Sequence, residues 1–383
     1  MQNTPAASLP LVKCPYQNSC SGCQYLSMDY QSQLKLKETS LRELFAKKGL
    51  TLDTLEIQTA GAAGLRDRLD FSLQGGRLGL YAKDAHDIVD IETCAQLSPD
   101  LQAWLTDFRK YHWPVDKGSV RLRVGPQGQR GVWLDFANVD IKKILDEQTL
   151  LRRLQEEAFV EIGQRRKIPV WDEAELKFKL NDPELHVWFN TWMDDEAVNL
   201  FCHVASFTQP SLQANKIIAK TLSSWIQQYS SPRLLEFGSG IGNLTLPAVT
   251  SAASLLACEI DALSLQGLEK TLQMLPESQQ SQAEKITIYR GDFQLKILQD
   301  FSKFDGILAN PPRSGLLNFL NPLEELKPAQ RPSFFIYMSC FPETMVLDLV
   351  KLKNAGYQIK EAVLLDQFPQ TTHFEVLTLL ERK

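Results

Sequence analysis

The chain predicts an α/β protein: a C-terminal doubly wound, Rossmann-like parallel sheet, preceded by a central α+β domain and a short cysteine-bearing N-terminal segment. Three observations predict this. From about Phe207 onward, short apolar runs alternate with helical patterns, which is the signature of a parallel sheet covered on both faces. A glycine-rich turn, Gly238-Ser-Gly-Ile-Gly242, stands directly after the first of those runs. Near the end, Phe334-Phe-Ile-Tyr337 reads as a strand buried on two sides, and the chain then reaches Cys340 and is stopped by Pro342. Ligands in open α/β sheets bind at the carboxyl ends of strands, so Cys340 is expected at the mouth of a site. A lone cysteine is more often a small buried apolar thiol, and that reading stands until other residues outweigh it.

In chain order, residues 1–10 read as a disordered lead. Residues 11–50 hold three cysteines and a helix from Met28 to Lys48, with Tyr30, Leu34, Leu41 and Phe45 at helical spacing and Gly49 as its stop. Residues 51–205 form the central module, with strands expected at Leu69–Leu73, Arg77–Tyr81, Val120–Val124, Gly131–Phe136, Glu175–Leu180, Leu185–Asn190 and Val198–Ala205. Two helices, Pro99–Tyr111 and Val139–Ile162, interrupt that series. Residues 206–383 begin with a helix, Gln213–Tyr229. Strands follow at Arg233–Phe237, Leu255–Ile260, Ile286–Tyr289, Phe304–Ala309, Phe334–Met338, Ala362–Gln367 and Phe374–Leu380, the last two as an antiparallel end pair.

Composition narrows the class. A chain of 383 residues, 44% hydrophobic and 23% charged, has the size of about two or three domains and the balance of a globular protein. No apolar run approaches the roughly 20 residues needed to cross a bilayer, and the first ten residues lack the pattern of a secretory signal. A cytoplasmic monomer with no membrane partner is expected. The net charge of -5 disfavours a generally basic nucleic-acid binder without excluding a local basic surface. Arg66, Arg68, Phe71, Arg77, Tyr81, Arg121, Arg123 and Trp133 interleave basic and aromatic side chains in the central module. Such residues are more often one solvated or packed sheet face than an RNA surface.

The seven cysteines are an odd number, which disfavours a disulfide framework. Cys14, Cys20 and Cys23 lie within one short loop, and Cys94 is a remote fourth. Four thiolates suit tetrahedral zinc or an iron–sulfur cluster; zinc sites more often come as two CxxC pairs, so the spacing leans toward the cluster.

The glycine turn lets backbone approach a ligand, but Glu236 just ahead of Gly238, Gly240 and Gly242 would repel a pyrophosphate. An acidic residue there suits the cationic amino end of S-adenosylmethionine. Glu259, ending the second strand, can take ribose hydroxyls, and Asp292 after the third can meet the adenine amino group. Each carboxylate alone is commonly a solvated strand end; the series favours S-adenosylmethionine over a nicotinamide cofactor. Asn310-Pro-Pro-Arg313 closes the fourth strand and belongs with the cofactor-binding set. Taken alone, Asn-Pro-Pro resembles the site of amino-methyltransferases, which need no thiol. The final motif, Phe368-Pro-Gln-Thr-Thr-His373-Phe-Glu375, brings a carboxylate to the start of an apolar strand. With Cys340 it has a specific use. A thiolate adding to carbon 6 of uracil makes carbon 5 nucleophilic, and a base must then take the proton from carbon 5.

With these motifs in place, the chain resembles the RNA uracil-5-methyltransferase family from Cys14 to its C-terminus. The resemblance rests on the four cysteines, Phe207-Thr-Gln209 with Asn215, Glu236 to Asn243, Asn310 to Arg313, Ser339-Cys340 and Phe368 to Glu375. It implies a [4Fe-4S] cluster on Cys14, Cys20, Cys23 and Cys94, and S-adenosylmethionine contacts from Gln209, Glu259 and the glycine turn. It also implies Cys340 as nucleophile, Glu375 as base and a uridine in folded RNA as substrate. Asn310, the lack of an N-terminal TRAM domain in this sequence and the ending Glu375-Val-Leu-Thr-Leu-Leu380 resemble the RlmC-type enzymes of 23S ribosomal RNA. Phe341 after the cysteine and Arg66-Asp-Arg68 depart from the usual family pattern and bear on the choice of uridine. A tRNA uridine is the first alternative, and a non-catalytic RNA-binding protein or chaperone on the same fold is the alternative of another class.

Overall fold

The computed structural model describes residues 11–84, 86–291 and 300–383. The lead expected at residues 1–10 and the candidate Asp292 lie outside them. In chain order the elements are α1 (Tyr30–Ala46), β1 (Leu55–Thr59), β2 (Arg68–Gln74), β3 (Arg77–Tyr81), β4 (Ile88–Asp90), α2 (Pro99–Phe108), β5 (Lys117–Val124) and β6 (Arg130–Asp135). Next come α3 (Asn138–Asp146), α4 (Gln148–Glu157), β7 (Phe159–Ile162), β8 (Ile168–Asp172), β9 (Lys177–Asn181), β10 (His186–Met193) and β11 (Glu196–Cys202). The remainder is α5 (Leu212–Ile226), β12 (Arg233–Phe237), α6 (Thr245–Val249), β13 (Ser254–Glu259), α7 (Ala262–Gln273), α8 (Gln280–Ala283), β14 (Ile286–Arg290), β15 (Gly306–Ala309), α9 (Asn321–Glu325), β16 (Phe334–Ser339), α10 (Pro342–Asn354), β17 (Tyr357–Asp366) and β18 (Glu375–Arg382).

The chain forms two compact units, and they cut it differently from the expected divisions at residues 50 and 205. Of the described residues, the first unit takes those up to 30, 61–189 and 201–212; the second takes 31–60, 190–200 and those from 213 on. The N-terminal helix thus belongs with the C-terminal sheet. The reason is apolar surface: Leu41 and Phe45 of α1 join the same core as Met345, Val346, Leu349 and Leu352 of α10.

The first unit is built on a six-stranded sheet in the order β4-β3-β2-β5-β6-β7. Ser98 caps α2 by accepting from the Leu101 N–H, Pro99 occupies its first turn, and Leu101, Trp104, Leu105 and Phe108 pack on Phe71, Val120, Leu122 and Val132. The helix expected over Val139–Ile162 is instead two helices and a strand. Glu147 leaves the helical region at ψ 68, and Phe159-Val-Glu-Ile162 pairs parallel with β6. Ile141, Ile144, Leu151 and Leu154 are buried, so the apolar periodicity held while its continuity did not. The interleaved basic residues are partly structural. Arg123 is buried and donates to the carbonyls of His203 and Val204 at 3.1 Å each, while Arg121 is held by Asp70 at 2.5 and 3.0 Å.

In the second unit, the described residues form an eight-stranded sheet in the order β1-β17-β18-β16-β15-β12-β13-β14. All six residues of β16 are buried, as a strand covered on both faces requires. The expected antiparallel end pair is present, β17 against β18, and the sheet adds to it in two ways. β18 is inserted between β16 and β17 and is antiparallel to both, while β17 pairs parallel with an eighth strand, β1, at the edge. The insertion sets the site: an antiparallel strand begins where its neighbours end, so Glu375 starts at the same edge at which β16 stops. Among the described residues, no helix is long and apolar enough to cross a membrane.

Candidate active site

The ends of β12, β15 and β16 are in register, Phe237 beside Ala309 and Ala309 beside Tyr337, and Ser339 pairs with Val376 of β18. One edge of the second unit therefore gathers the glycine turn, Asn310, Cys340 and Glu375.

On the turn, Gly238, Gly240 and Gly242 have φ of 70°, 56° and 93°, backbone that L side chains rarely adopt. A Cβ at Gly238 would lie 3.3 Å from the Asn310 carbonyl oxygen, and one at Gly242 would meet Leu268 at 2.6 Å. Gly240 faces open space, which leaves a cradle for a ligand against bare backbone. Glu259 shapes that cradle: its carboxylate accepts from the N–H of Gly240 at 2.9 Å and from those of Ile260 and Asp261 at 2.8 Å each. Asn215 and Asn243 exchange side-chain amide bonds at 2.7 and 2.8 Å, and Thr191 donates to the Asn243 carbonyl at 2.7 Å, fixing the turn's exit.

Glu236, expected beside the cofactor's amino end, is 1% exposed and accepts from the Thr245 hydroxyl at 2.7 Å, which ties β12 to α6. Burial raises its pKa to about 8, with the charge of Glu259 adding to the shift and Thr245 opposing it. An unfolded chain releases this proton near pH 4.5. Between there and about pH 8 the folded state holds a proton that the unfolded state has lost, so this group makes stability fall as pH rises across that window. Glu236→Gln removes the titration. Its thermal midpoint is expected to exceed that of the unsubstituted protein by roughly 2–4 °C at pH 9 and to converge with it at pH 5; equal midpoints at both values would refute the assignment.

On the reacting side, β16 ends at Ser339, whose Oγ accepts from the Phe341 N–H at 3.0 Å in a short turn that displays Cys340. Pro342 then opens α10. Burial pushes the Cys340 thiol up, the Glu375 charge adds to that, and the hydrogen-bonded Arg313 guanidinium pulls it back. Arg313 reaches this position because its loop is pinned to α10: Thr344 donates to the Arg313 carbonyl at 2.8 Å, and Asp348 accepts from the Leu316 N–H at 2.7 Å and from the Tyr337 hydroxyl at 2.6 Å. Glu375 is 2% exposed, and burial raises its pKa to about 8 against the hydrogen bond from Gln367. The Gln367 amide donates to it at 2.5 Å. A thiol, a guanidinium and a buried carboxyl thus share one small region. Arg313 and Gln367 were not singled out individually by sequence, since their partners are set by strand order.

Gln209 is buried and lies in the first unit, apart in the chain from the residues just described. The four candidate ligand thiols also belong to the first unit; all are free and half-buried. Burial, with the charges of Cys94, Cys20 and Cys14, pushes Cys23 up to about 12, and Arg66 opposes this. Cys94 feels Cys14 and Cys20 in the same way, so the four sulfurs bear on one another. The Gly22 N–H donates to Cys20 Sγ at 3.3 Å, and the Cys94 N–H to Gln102 at 2.9 Å. Among the described residues no three or more His, Cys, Asp or Glu side chains stand close enough to hold a single metal ion.

A doubly wound sheet with a seventh strand inserted antiparallel, a glycine turn after its first strand and an acid closing its second defines a Rossmann-like methyltransferase domain. The family model described as tRNA (Uracil-5-)-methyltransferase matches residues 193–383. An uncharacterized RNA methyltransferase of Bdellovibrio bacteriovorus is 60% identical over 98% of this chain and 96% of its own. The 23S rRNA (uracil(1939)-C(5))-methyltransferase RlmD of Shewanella halifaxensis is 26% identical over 97% of this chain and 81% of its own. The crystal structure of the Pyrococcus abyssi tRNA (uracil-54, C5)-methyltransferase in complex with S-adenosyl-L-homocysteine aligns with a TM-score of 0.69 at 18% identity, over 94% of this chain and 86% of that one. The chain belongs to the RNA uracil-5-methyltransferase family and is an enzyme of that class. Where Asn310 and the C-terminal run suggest the RlmC type, the relative with a named ribosomal target is of the RlmD type.

Proposed function

We propose that this enzyme methylates carbon 5 of one uridine in RNA, with 23S ribosomal RNA as substrate, through a covalent Cys340 adduct. The observation that supports it most is the meeting of Cys340 with Glu375 and Arg313 at one sheet edge, each altering the charge state of the thiol. The bare backbone at Gly240, bounded by Glu259 and by Asn310 after β15, suits S-adenosylmethionine, which when bound supplies the transferable methyl group. The Cys340 thiolate would bond to carbon 6 of the flipped uracil, shifting the 5,6 electron pair into an enolate, and carbon 5 would take up the methyl group as the methyl–sulfur bond breaks and the sulfur leaves as a neutral thioether. Glu375 then accepts the carbon 5 proton; the electron pair left behind restores the 5,6 double bond as the sulfur–carbon bond breaks and the thiolate returns. Arg313 favours the thiolate at the start and end of this cycle.

The RlmD relative supports ribosomal RNA, and the wording of the family model keeps a tRNA uridine as the alternative. The spacing of Cys14, Cys20 and Cys23 along the chain, with Cys94 bearing on the same thiols, is what supports a [4Fe-4S] group here. Such a group would staple the 14–23 loop to residue 94 and has no electron to move in this reaction. The test is incubation with 5-fluorouridine-substituted RNA and S-adenosylmethionine, followed by mass spectrometry. Fluorine cannot leave as a proton, so a ribosomal-RNA adduct on Cys340 is expected. An adduct with tRNA alone would move the substrate. Absence of an adduct with either, from protein that binds both cofactor and RNA, would overturn the mechanism.

A further inference from the structure

Glu375 follows a loop, residues 367–374, whose shape is set from far away in the chain. Gln370 at its centre has φ 67°, left-handed backbone that a non-glycine residue keeps only where its surroundings over-determine it. The constraint comes from α1. Gln33 donates its amide to Gln370 Oε1 at 2.9 Å, and its own Oε1 accepts from the Gln370 N–H at 3.0 Å. One helical turn later, Lys37 donates to Asp366 Oδ1 at 2.8 Å and to the Phe368 carbonyl at 3.0 Å. Asp366 Oδ1 also accepts from the Phe368 N–H at 3.2 Å. All four side chains are buried. The i, i+4 spacing puts Gln33 and Lys37 on one face of α1, so the helix grips both the entry and the middle of the loop.

Stability alone does not account for this arrangement. Burying a lysine opposite an aspartate costs desolvation that apolar residues of equal volume would avoid, and α1 already has Leu41 and Phe45 in the core. Directional polar bonds, unlike apolar contact, specify where a loop stands. Immediately after Asp366 comes Gln367, which holds the Glu375 carboxyl, and the gripped loop ends at Glu375 itself. We infer that Gln33 and Lys37 are positioning residues for the base: through Gln370, Asp366 and Phe368 they set the place of the Gln367–Glu375 pair and so govern release of the methylated uridine. This rests on the proposed role of Glu375.

The test separates thiol addition, which does not need Glu375, from release, which does. Gln33→Leu keeps volume and helix propensity but removes both bonds to Gln370. Turnover is expected to fall about 10–100-fold, in line with the cost of a displacement of about 1 Å. The binding affinity for S-adenosylmethionine should stay unchanged, KM for RNA should fall along with turnover, and a Cys340–RNA adduct should accumulate in denaturing gels. Because the effect runs through Glu375, Gln33→Leu added to Glu375→Gln should lower turnover no further. A merely structural role would add to Glu375→Gln and would depress adduct formation together with release; either result, or unchanged turnover, overturns the inference. If Gln33→Leu does not fold, Gln370→Gly suits the left-handed backbone, deletes one of the two bonds, and should show the same adduct accumulation to a smaller degree; its absence would count equally against the inference. Glu375→Gln alone is the control: failure of that variant to accumulate adduct would refute the base assignment itself, whatever Gln33→Leu does.

Discussion

Cys340→Ala is expected to abolish methyl incorporation, lowering it by at least about 10⁴-fold, the scale seen when a covalent nucleophile is removed. Carbon 5 of uracil has no useful nucleophilicity until a thiolate occupies carbon 6, so no partial pathway remains. Cofactor affinity should be unchanged, because the glycine turn and Glu259 stand on β12 and β13 while Cys340 follows β16. The pair of measurements is tritiated methyl transfer and calorimetric binding of S-adenosylmethionine. Retained transfer would redirect attention to Asn310-Pro-Pro and to an amino group as methyl acceptor. Loss of both transfer and binding would indicate a folding defect and would be resolved with Cys340→Ser, which keeps a hydrogen-bonding group toward Arg313 but is a far poorer nucleophile near neutral pH.

What sequence could convey was mostly local. The apolar run of β16, the glycine turn and the acid at the end of β13 are short-range patterns, and each lies where pattern and spacing place it. The three clustered cysteines are likewise a local signal. Glu236 was visible, but its direction was not: a strand buried on both faces has no polar side, so alternation cannot say which way a carboxyl turns. Strand order was the larger gap. β1 is five residues long and pairs with residues about three hundred positions away, and β18 enters between two strands that precede it. Only that insertion brings Glu375 to Cys340 and makes Gln367 its hydrogen-bond partner. Gln33 and Lys37 are polar positions on an otherwise ordinary amphipathic helix, and nothing short-range distinguishes them from a solvated face.

Glu375→Gln should separate the two halves of the reaction. The proposed base is protonated below about pH 8, since burial outweighs the Gln367 bond, so only the fraction already ionised can take the carbon 5 proton. In the unsubstituted enzyme, turnover limited by that step should therefore rise about tenfold per pH unit below 8 and level off above it. Glutamine cannot accept the proton. Turnover should fall about 10²–10⁴-fold, the usual contribution of a positioned general base, and the pH-dependent rise should disappear from the residual rate. Adduct formation should persist, because thiol addition needs no proton acceptor at carbon 5 and Arg313 still favours the thiolate. The amide can still bond to Gln367, so β18 keeps its start and the variant should fold. A stable methylated RNA–protein adduct, absent from Cys340→Ala, is the expected result. Rapid turnover by Glu375→Gln without any adduct would show that another group removes the proton, and would separate the buried carboxyl at the head of β18 from the chemistry.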